Sequence, residues 1–332
     1  MNKDDIKGIR QLLTSPKRIA IIPHRSPDGD AMGSTLGLYH FLLKLGHNPF
    51  VIAPNEFPDF LAWLPGSEKV SVFEKDKETG IRMLQEADIV FTLDFNALHR
   101  TGEMEHTLVT LKVPFVMIDH HQKPDSYATF MYSDTTFGST CEMLYNFIRE
   151  MDGEHLIDRT IATCIYTGIV TDSGSFRYPS TTSATHRIVA NLIELGIDNS
   201  EVHTLLFDNN SFDRLQLMGQ ALQNMKVFPE HKTAYITLSQ KELDQHHYVK
   251  GDTEGLVNYG LSIKGIIFAA IFIEHREENI IKISFRSQGN FDVNQFARDH
   301  FNGGGHINAA GGKSYQNMRD TIKKFENIIK SL

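Results

Sequence analysis

The feature that most limits what this chain can fold into is the rhythm of its first half. Apolar runs of strand length at 19–23, 49–52, 88–93 and 114–118 are separated by segments long enough for a helix. Strands that alternate with helices build a parallel sheet wrapped by those helices. Runs that are apolar throughout, and not merely at every second residue, belong to strands covered on both faces. The expected fold class is therefore α/β, with a doubly wound, mainly parallel sheet. In such sheets ligands bind outside the carboxyl ends of the strands. The polar residues that follow each run become the candidates for chemistry.

Further along, helix-length segments at 138–150, 156–170, 182–195 and 199–225 follow one another, and the last is expected to be a connector. The pattern then changes. Segments 233–238, 266–273 and 280–286 look like strands, with helices near 293–300 and 316–331. The expected organisation is a first domain over 1–198, a helical connector over 199–225, and a smaller α/β domain over 226–332 across a cleft. Two domains suit a chain of 332 residues, which exceeds what one core usually serves.

Cys141 and Cys164 both lie in apolar, helix-like stretches, so neither a disulfide framework nor a thiolate metal site is expected. The start carries Asp4 and Asp5 without an apolar signal core, and the longest apolar run, 265–273, is too short to span a bilayer. A cytoplasmic protein without membrane association is the expectation. The formal charge of −8 is uneven: residues 1–225 hold 19 Lys and Arg against 29 Asp and Glu, whereas 226–332 hold 14 against 12. The two parts carry −10 and +2. Binding long nucleic acid draws most of its affinity from a strongly basic surface, so a small anionic substrate is the better expectation.

Four sites carry the chemistry. The first run leads into His24-Arg25-Ser26-Pro27-Asp28-Gly29-Asp30, where Pro27 and Gly29 tighten a turn that opens a helix. Asp28 and Asp30 there read equally well as helix caps. Asp94 closes the third run and could likewise cap the next helix. Asp119-His120-His121 closes the fourth run, and Asp172 ends a helix in a small-residue loop. A doubly wound sheet would gather four of these carboxylates, Asp28, Asp30, Asp94 and Asp172, at one edge beside imidazoles. Carboxylates so placed repel one another and resist ionisation. Two divalent cations would cancel four negative charges, and oxygen with imidazole ligation suits manganese or magnesium better than softer metals. Two such ions roughly 3.5–4 Å apart form a clamp for in-line displacement at phosphorus. In the second domain, Arg286-Ser287 and Gly303-Gly304-Gly305-His306 could admit and grip a phosphate, the bland reading being a flexible loop between helices.

Taken in order, His24-x-x-x-Asp28-x-Asp30, Asp94, Asp119-His120-His121 and Asp172 resemble the four motifs of the DHH phosphoesterases, and Gly303-Gly304-Gly305-His306 resembles the signature of their associated C-terminal domain. The resemblance covers nearly the whole chain. It implies one metal held by His24, Asp28 and Asp94, and another by Asp30, Asp94, His120 and Asp172, with Asp94 bridging. It also implies that Asp119 orients a ligand, that His121 faces the substrate phosphate, and that Arg286, Ser287, Gly304, Gly305 and His306 bind substrate. The implied cofactors are two divalent cations, manganese first, with magnesium or cobalt as alternatives. Relatives often have Asn where this chain has Ser26.

Among branches of the family, the compact length is similar to bacterial nano-RNase or oligoribonuclease proteins, some of which also dephosphorylate 3'-phosphoadenosine 5'-phosphate. The implied reaction is metal-dependent hydrolysis of short oligoribonucleotides, of nucleoside 3',5'-bisphosphates, or of both. Cyclic or linear dinucleotide phosphodiesterases share both domains and form the alternative. A nonenzymatic nucleotide-binding scaffold would be expected to lack one of the carboxylates. The expected partner is a short RNA or a nucleotide, neither long duplex nucleic acid nor membrane, and self-association into a homodimer is left open.

Overall fold

A computed structural model describes residues 1–331. They form two compact units, Met1–Asn209 and the chain from Asn210 onward. Among the described residues no helix is long and apolar enough to cross a membrane.

The first unit runs α1 (Lys3–Leu12), β1 (Arg18–Ile22), α2 (Gly29–Lys44), β2 (Asn48–Ala53), β3 (Ser71–Val72), α3 (Lys77–Gln85), β4 (Ile89–Leu93), α4 (Glu105–Leu108), β5 (Phe115–Asp119), β6 (Phe130–Ser133), α5 (Thr140–Glu150), α6 (Arg159–Asp172), α7 (Ser183–Glu194) and α8 (Asn199–Phe207). Its sheet has the order β3-β2-β1-β4-β5-β6, and all pairs are parallel. The four strands read from the apolar runs are present. The short β3 and β6 add a strand at each edge, where too few apolar residues stand together to announce them.

Every residue of β4 and β5 is buried. Side chains of a strand point alternately to its two faces, and both faces are covered. Ile19, Ile21, Phe91, Leu93, Val116 and Ile118 join the core under α2, α5 and α6, whereas Ala20, Ile22, Val90 and Phe115 join a second core with Leu84 and Leu108 of α3 and α4. After β1 the chain moves to β2 on one side, and later to β4 on the other. The switch point of the sheet thus lies between β1 and β4, the place where sheets of this kind bind their ligands.

The second unit runs α9 (Phe212–Gln223), β7 (Lys226–Phe228), β8 (Thr233–Leu238), α10 (Gln240–Gln245), α11 (Asn258–Leu261), β9 (Phe268–His275), β10 (Ile280–Ser287), α12 (Val293–His300), β11 (Gly304–Gly305), β12 (Ala309–Ser314) and α13 (Met318–Ile329). Its sheet has the order β11-β12-β10-β9-β8-β7, with only β8 and β9 parallel. One face packs phenylalanines with α12 and α13: Phe268 and Phe296 have centroids 4.9 Å apart, and Phe272 and Phe325 5.0 Å.

One expectation changes, and one alternative falls away. The single connector over 199–225 is two helices, capped by Asp198 and Ser211. Val202 and Leu206 of α8 belong to the first core, and Leu217 and Ala221 of α9 to a core of the second unit. The glycine-rich segment after Asn302 is not a loop between helices. It folds back as the antiparallel pair β11–β12, the latter also paired along β10.

Candidate metal centre

His24 emerges from β1 into a turn in which Ser26 has φ +57°, its N–H donating to Asn55 Oδ1 at 2.6 Å. His24 Nδ1 donates to the Arg25 carbonyl at 2.9 Å, which turns Nε2 toward carboxylates: Asp28 Oδ2 at 3.8 Å and Asp94 Oδ2 at 3.4 Å. Asp28 caps α2, Oδ1 accepting from the N–H groups of Asp30 and Ala31 at 3.1 Å. The cap uses one oxygen and leaves the other on the side of His24, so the capping reading and the ligand reading do not exclude each other.

Asp94 follows β4 with φ +64°, a left-handed conformation that Asp tolerates better than most residues. It caps no helix. Its Oδ1 accepts from Thr140 Oγ1 at 2.9 Å and lies 3.4 Å from His120 Nε2, while Oδ2 faces His24. One carboxylate thus stands between two imidazoles. Asp30, on the first turn of α2, is fully buried against the amino end of α5: the N–H groups of Thr140 and Cys141 donate to its two oxygens at 2.6 and 2.8 Å. Helix amino ends favour anions because their N–H groups lack partners within the helix. Asp172 closes α6 and puts Oδ2 3.3 Å from His120 Nε2, which also lies 3.8 Å from Asp30 Oδ2. His120 Nδ1 donates to the Phe137 carbonyl at 3.3 Å. Asp119 accepts from the His121 backbone N–H at 2.9 Å and from His121 Nδ1 at 2.7 Å.

The ligand atoms of His24, Asp28 and Asp94 lie within 4.8 Å of one another, as do those of Asp30, His120 and Asp172. The residues fit divalent cations. With bonds of about 2.1 Å, neighbouring donors around one ion stand roughly 3.0–3.4 Å apart, close to the N···O separations of 3.3–3.8 Å found here. In His24 and His120, the Nδ1–H bond to a backbone carbonyl fixes the tautomer that aims Nε2 inward, as second partners of metal-binding histidines do.

The electrostatics point the same way. Burial, then the Asp94 charge, pushes Asp30 up to about 7, with His120 opposing. Burial and the Asp30 charge raise Asp172 well above its ordinary range. Burial also penalises the charged forms of His24, His120 and Asp94. For these three, their mutual hydrogen bonds and charges win, so both imidazoles rise and Asp94 falls well below its usual value. His121 is lowered by burial, which its bond to Asp119 offsets only in part.

In the second unit the expected substrate residues also share one edge. Arg286 pairs with Ala309 across β10–β12, and its Nη1 donates to the Phe285 carbonyl at 3.0 Å. Ser287 is buried, its hydroxyl donating to the Phe291 carbonyl at 2.6 Å and accepting from Asn308 Nδ2 at 2.9 Å. Gly304 and Gly305 form β11, and the Gly305 N–H donates to Asn294 Oδ1 at 2.9 Å. His306 begins the turn into β12, its N–H donating to the Ala309 carbonyl at 2.7 Å. A Cβ on Gly303 would lie 2.7 Å from Gly312 Cα, so only glycine lets the two strands approach.

Sequence reasoning missed Thr140, Asn55 and Asn294, which hold the site residues in place. The start of α5 does carry a local signal, Ser139 accepting from the Glu142 N–H as its cap, but nothing local tells that this first turn receives Asp30.

Known proteins decide the family. Residues 18–169 match the N-terminal domain of the DHH family, and residues 233–331 match the DHHA1 domain. The bifunctional oligoribonuclease and PAP phosphatase NrnA of Bacillus subtilis is 30% identical over 299 residues, covering 89% of each chain. The chain belongs to the DHH family. The NrnA of Thermus thermophilus is 31% identical over 295 residues, covering 88% of this chain and 83% of its own length. Among solved structures, an exopolyphosphatase-related protein from Bacteroides fragilis superposes with a TM-score of 0.94 at 39% identity, covering 99% of this DHH chain and 96% of that one.

Proposed function

We propose that this DHH protein is a divalent-cation-dependent hydrolase of phosphate esters in short oligoribonucleotides and nucleoside 3',5'-bisphosphates. The observation that carries the reading is the set of four carboxylates and two imidazoles, of which His24, Asp30, Asp94 and His120 are buried and Asp28 and Asp172 half-buried, with Asp94 shared between two groups of ligand atoms. His24, Asp28 and Asp94 would hold one cation, and Asp30, Asp94, His120 and Asp172 the other. Manganese is our first assignment, with magnesium or cobalt as alternatives of similar ligand preference. When bound, such cations acidify water and withdraw charge from phosphoryl oxygens.

The chain's own residues do the rest. Asp119 fixes His121 through Nδ1, so Nε2 is the atom that takes up a proton when a phosphate anion approaches. The imidazolium then stabilises charge that develops on the phosphoryl oxygens. We assign Arg286 and His306 to grip the substrate's phosphate, with Gly304 and Gly305 letting the anion near the backbone and Ser287 fixing the loop. The charges of −10 over residues 1–225 and +2 beyond favour a small anion over a polymer. The two NrnA relatives act on such substrates by name. We place the protein in the cytoplasm, where the buried Cys141 and Cys164 stay thiols.

The test is purified protein with manganese, presented with dinucleotides and slightly longer oligoribonucleotides, 3'-phosphoadenosine 5'-phosphate, cyclic diadenylate, pyrophosphate and a long structured RNA. Short oligonucleotides and the bisphosphate should show the highest kcat/KM. Preference for the cyclic compound would move the protein to dinucleotide signalling, and equal efficiency on long RNA would make it a processive nuclease.

A further inference from the structure

Two arginines border the carboxylate cluster of the first unit, and they differ in how they are satisfied. Arg25 is paired with Glu74, Nη2 to Oε1 at 3.2 Å. Arg100 is half-buried, and among the described residues no carboxylate stands within ion-pair distance of it. Such a guanidinium has lost part of its hydration without gaining a counter-ion, an arrangement that costs free energy unless an anion arrives.

The fold fixes Arg100 beside the site. It lies six residues beyond Asp94, in the short helical segment Leu98–Met104. The Arg25 N–H donates to the Arg100 carbonyl at 2.8 Å, and the Arg100 N–H donates to Ala97 at 3.0 Å. The Arg100 turn is thus bonded directly to the residue after His24. Gly102, with φ +62°, lies against the Arg25 stem, where a Cβ would be 3.1 Å from Arg25 Cδ. Thr101 bonds back to Leu98 at 2.7 Å, and Met104 is fully buried, so the segment is anchored at both ends. The Arg100 charge is felt at both His24 and His121, lowering the proton affinity of each.

We propose that Arg100 is a further substrate-binding residue, whose guanidinium takes the oxygens of the phosphoryl group presented to the cluster. The proposal rests on the phosphoester reading above and names a phosphate contact supplied by the metal-binding unit itself. A planar guanidinium can meet two phosphate oxygens at once, a geometry an ammonium cannot reproduce. The competing role is that of a structural counter-charge to the five aspartates. The two roles differ in what their loss disturbs. A structural counter-charge removed should leave the fold weaker and, through it, the cation sites distorted. A substrate-binding cation removed should leave cation affinity unchanged or raised, because a like charge has gone.

The test uses the full chain loaded with manganese, as wild type, Arg100→Ala, Arg100→Gln and Arg100→Lys. Inorganic phosphate is the probe, titrated by calorimetry, alongside KM for a diribonucleotide. Arg100→Ala should raise the phosphate Kd and the KM by about tenfold or more, with Arg100→Lys intermediate, and with manganese stoichiometry intact. Arg100→Gln keeps most of the stem and carries the same expectation should the alanine variant fail to fold. A phosphate Kd within about twofold of wild type, or weakened manganese binding in both Gln and Lys variants, would overturn the assignment. A protein that binds phosphate through Arg100 yet hydrolyses none of the nucleotides would overturn the proposed activity and leave this contact standing.

Discussion

Gly168 in α6 is where packing and the candidate site meet most directly, and Gly168→Ala tests the connection. A Cβ there would lie 2.6 Å from Asp30 Oδ1 and 2.9 Å from Cys141 Cβ, and closer still to Cys141 Sγ. Ordinary contact needs about 3.5 Å or more, so something must move by close to an ångström. Asp30 cannot yield freely, because the N–H groups of Thr140 and Cys141 hold it at 2.6 and 2.8 Å. Overpacking costs about 1–3 kcal/mol, and giving up one hydrogen bond to a charged group roughly another 1.5–3 kcal/mol. Against this, alanine gains up to about 1 kcal/mol of helix propensity. The steric side wins by about 2–5 kcal/mol, which for a unit of this size lowers the melting temperature by roughly 4–20 °C. Gly219 in α9 is the control: nothing lies within 4 Å of its Cβ position, so Gly219→Ala should raise stability by about 0.4–1 kcal/mol. Thermal unfolding and manganese titration of both variants decide the matter. A Gly168→Ala protein that melts at or above the wild-type temperature with its manganese stoichiometry intact would refute the close approach of α2, α5 and α6.

Asp94→Ala removes the carboxylate between His24 and His120 and should lower both turnover and bound manganese together; near-normal rate with two metals per chain by elemental analysis would rule out its shared role. Thr140→Val deletes the hydroxyl on Asp94 Oδ1 and should destabilise the metal-free protein by about 1.5–3 kcal/mol, with Thr140→Ser restoring most of it in chemical unfolding; equal stabilities of Val and Ser would show that the bond contributes nothing. Arg286→Ala should keep its metals and lose most efficiency on nucleotides, but less on an activated aryl phosphate; equal losses would make Arg286 structural. Asp30, raised to about 7, and Asp172, also raised, bind protons more tightly folded than unfolded, so their stabilising contribution is complete below the ordinary carboxylate range and is lost as pH rises. The raised His24 and His120 act in the same sense at higher pH, whereas the gain from the lowered Asp94 is finished below about pH 4. With chelator, the melting temperature should therefore fall between about pH 5 and about pH 8, and manganese should remove the decline; a flat metal-free profile would contradict this balance.

The sheet was legible because its central strands are apolar on both faces, a pattern with few other physical explanations. Once β1, β4 and β5 were placed, His24, Asp94 and Asp119-His120-His121 had to gather at one edge. What stayed illegible depends on long-range contact. Thr140 bonds to Asp94, 46 residues away, and its backbone to Asp30, 110 residues away; no local spacing encodes either. The pair β11–β12 was hidden because glycine is depleted in strands, and here glycine is present because the backbones of Gly303 and Gly312 come too close for a side chain. The break between α8 and α9 was missed as well. The break is the run Asp208-Asn209-Asn210-Ser211, whose last residue caps α9, and on either side of it Leu206 joins one core and Leu217 another.

Asp28 shows why local and functional readings need not compete. A carboxylate has two oxygens, and a helix cap uses one of them. Oδ1 accepts the N–H groups of Asp30 and Ala31, while Oδ2 is left on the side of His24. The same economy recurs at Asp30, whose oxygens each take one N–H from the first turn of α5 and still possess a second lone pair. These bonds fix the carboxylates before any cation arrives, so binding does not have to order them, and side-chain ordering is a substantial part of what association costs. The bonds are also insufficient to neutralise the cluster, since burial and mutual repulsion still hold Asp30 and Asp172 above their ordinary range. A fold that orients its carboxylates fully but compensates their charge only partly is one whose remaining deficit divalent cations would match.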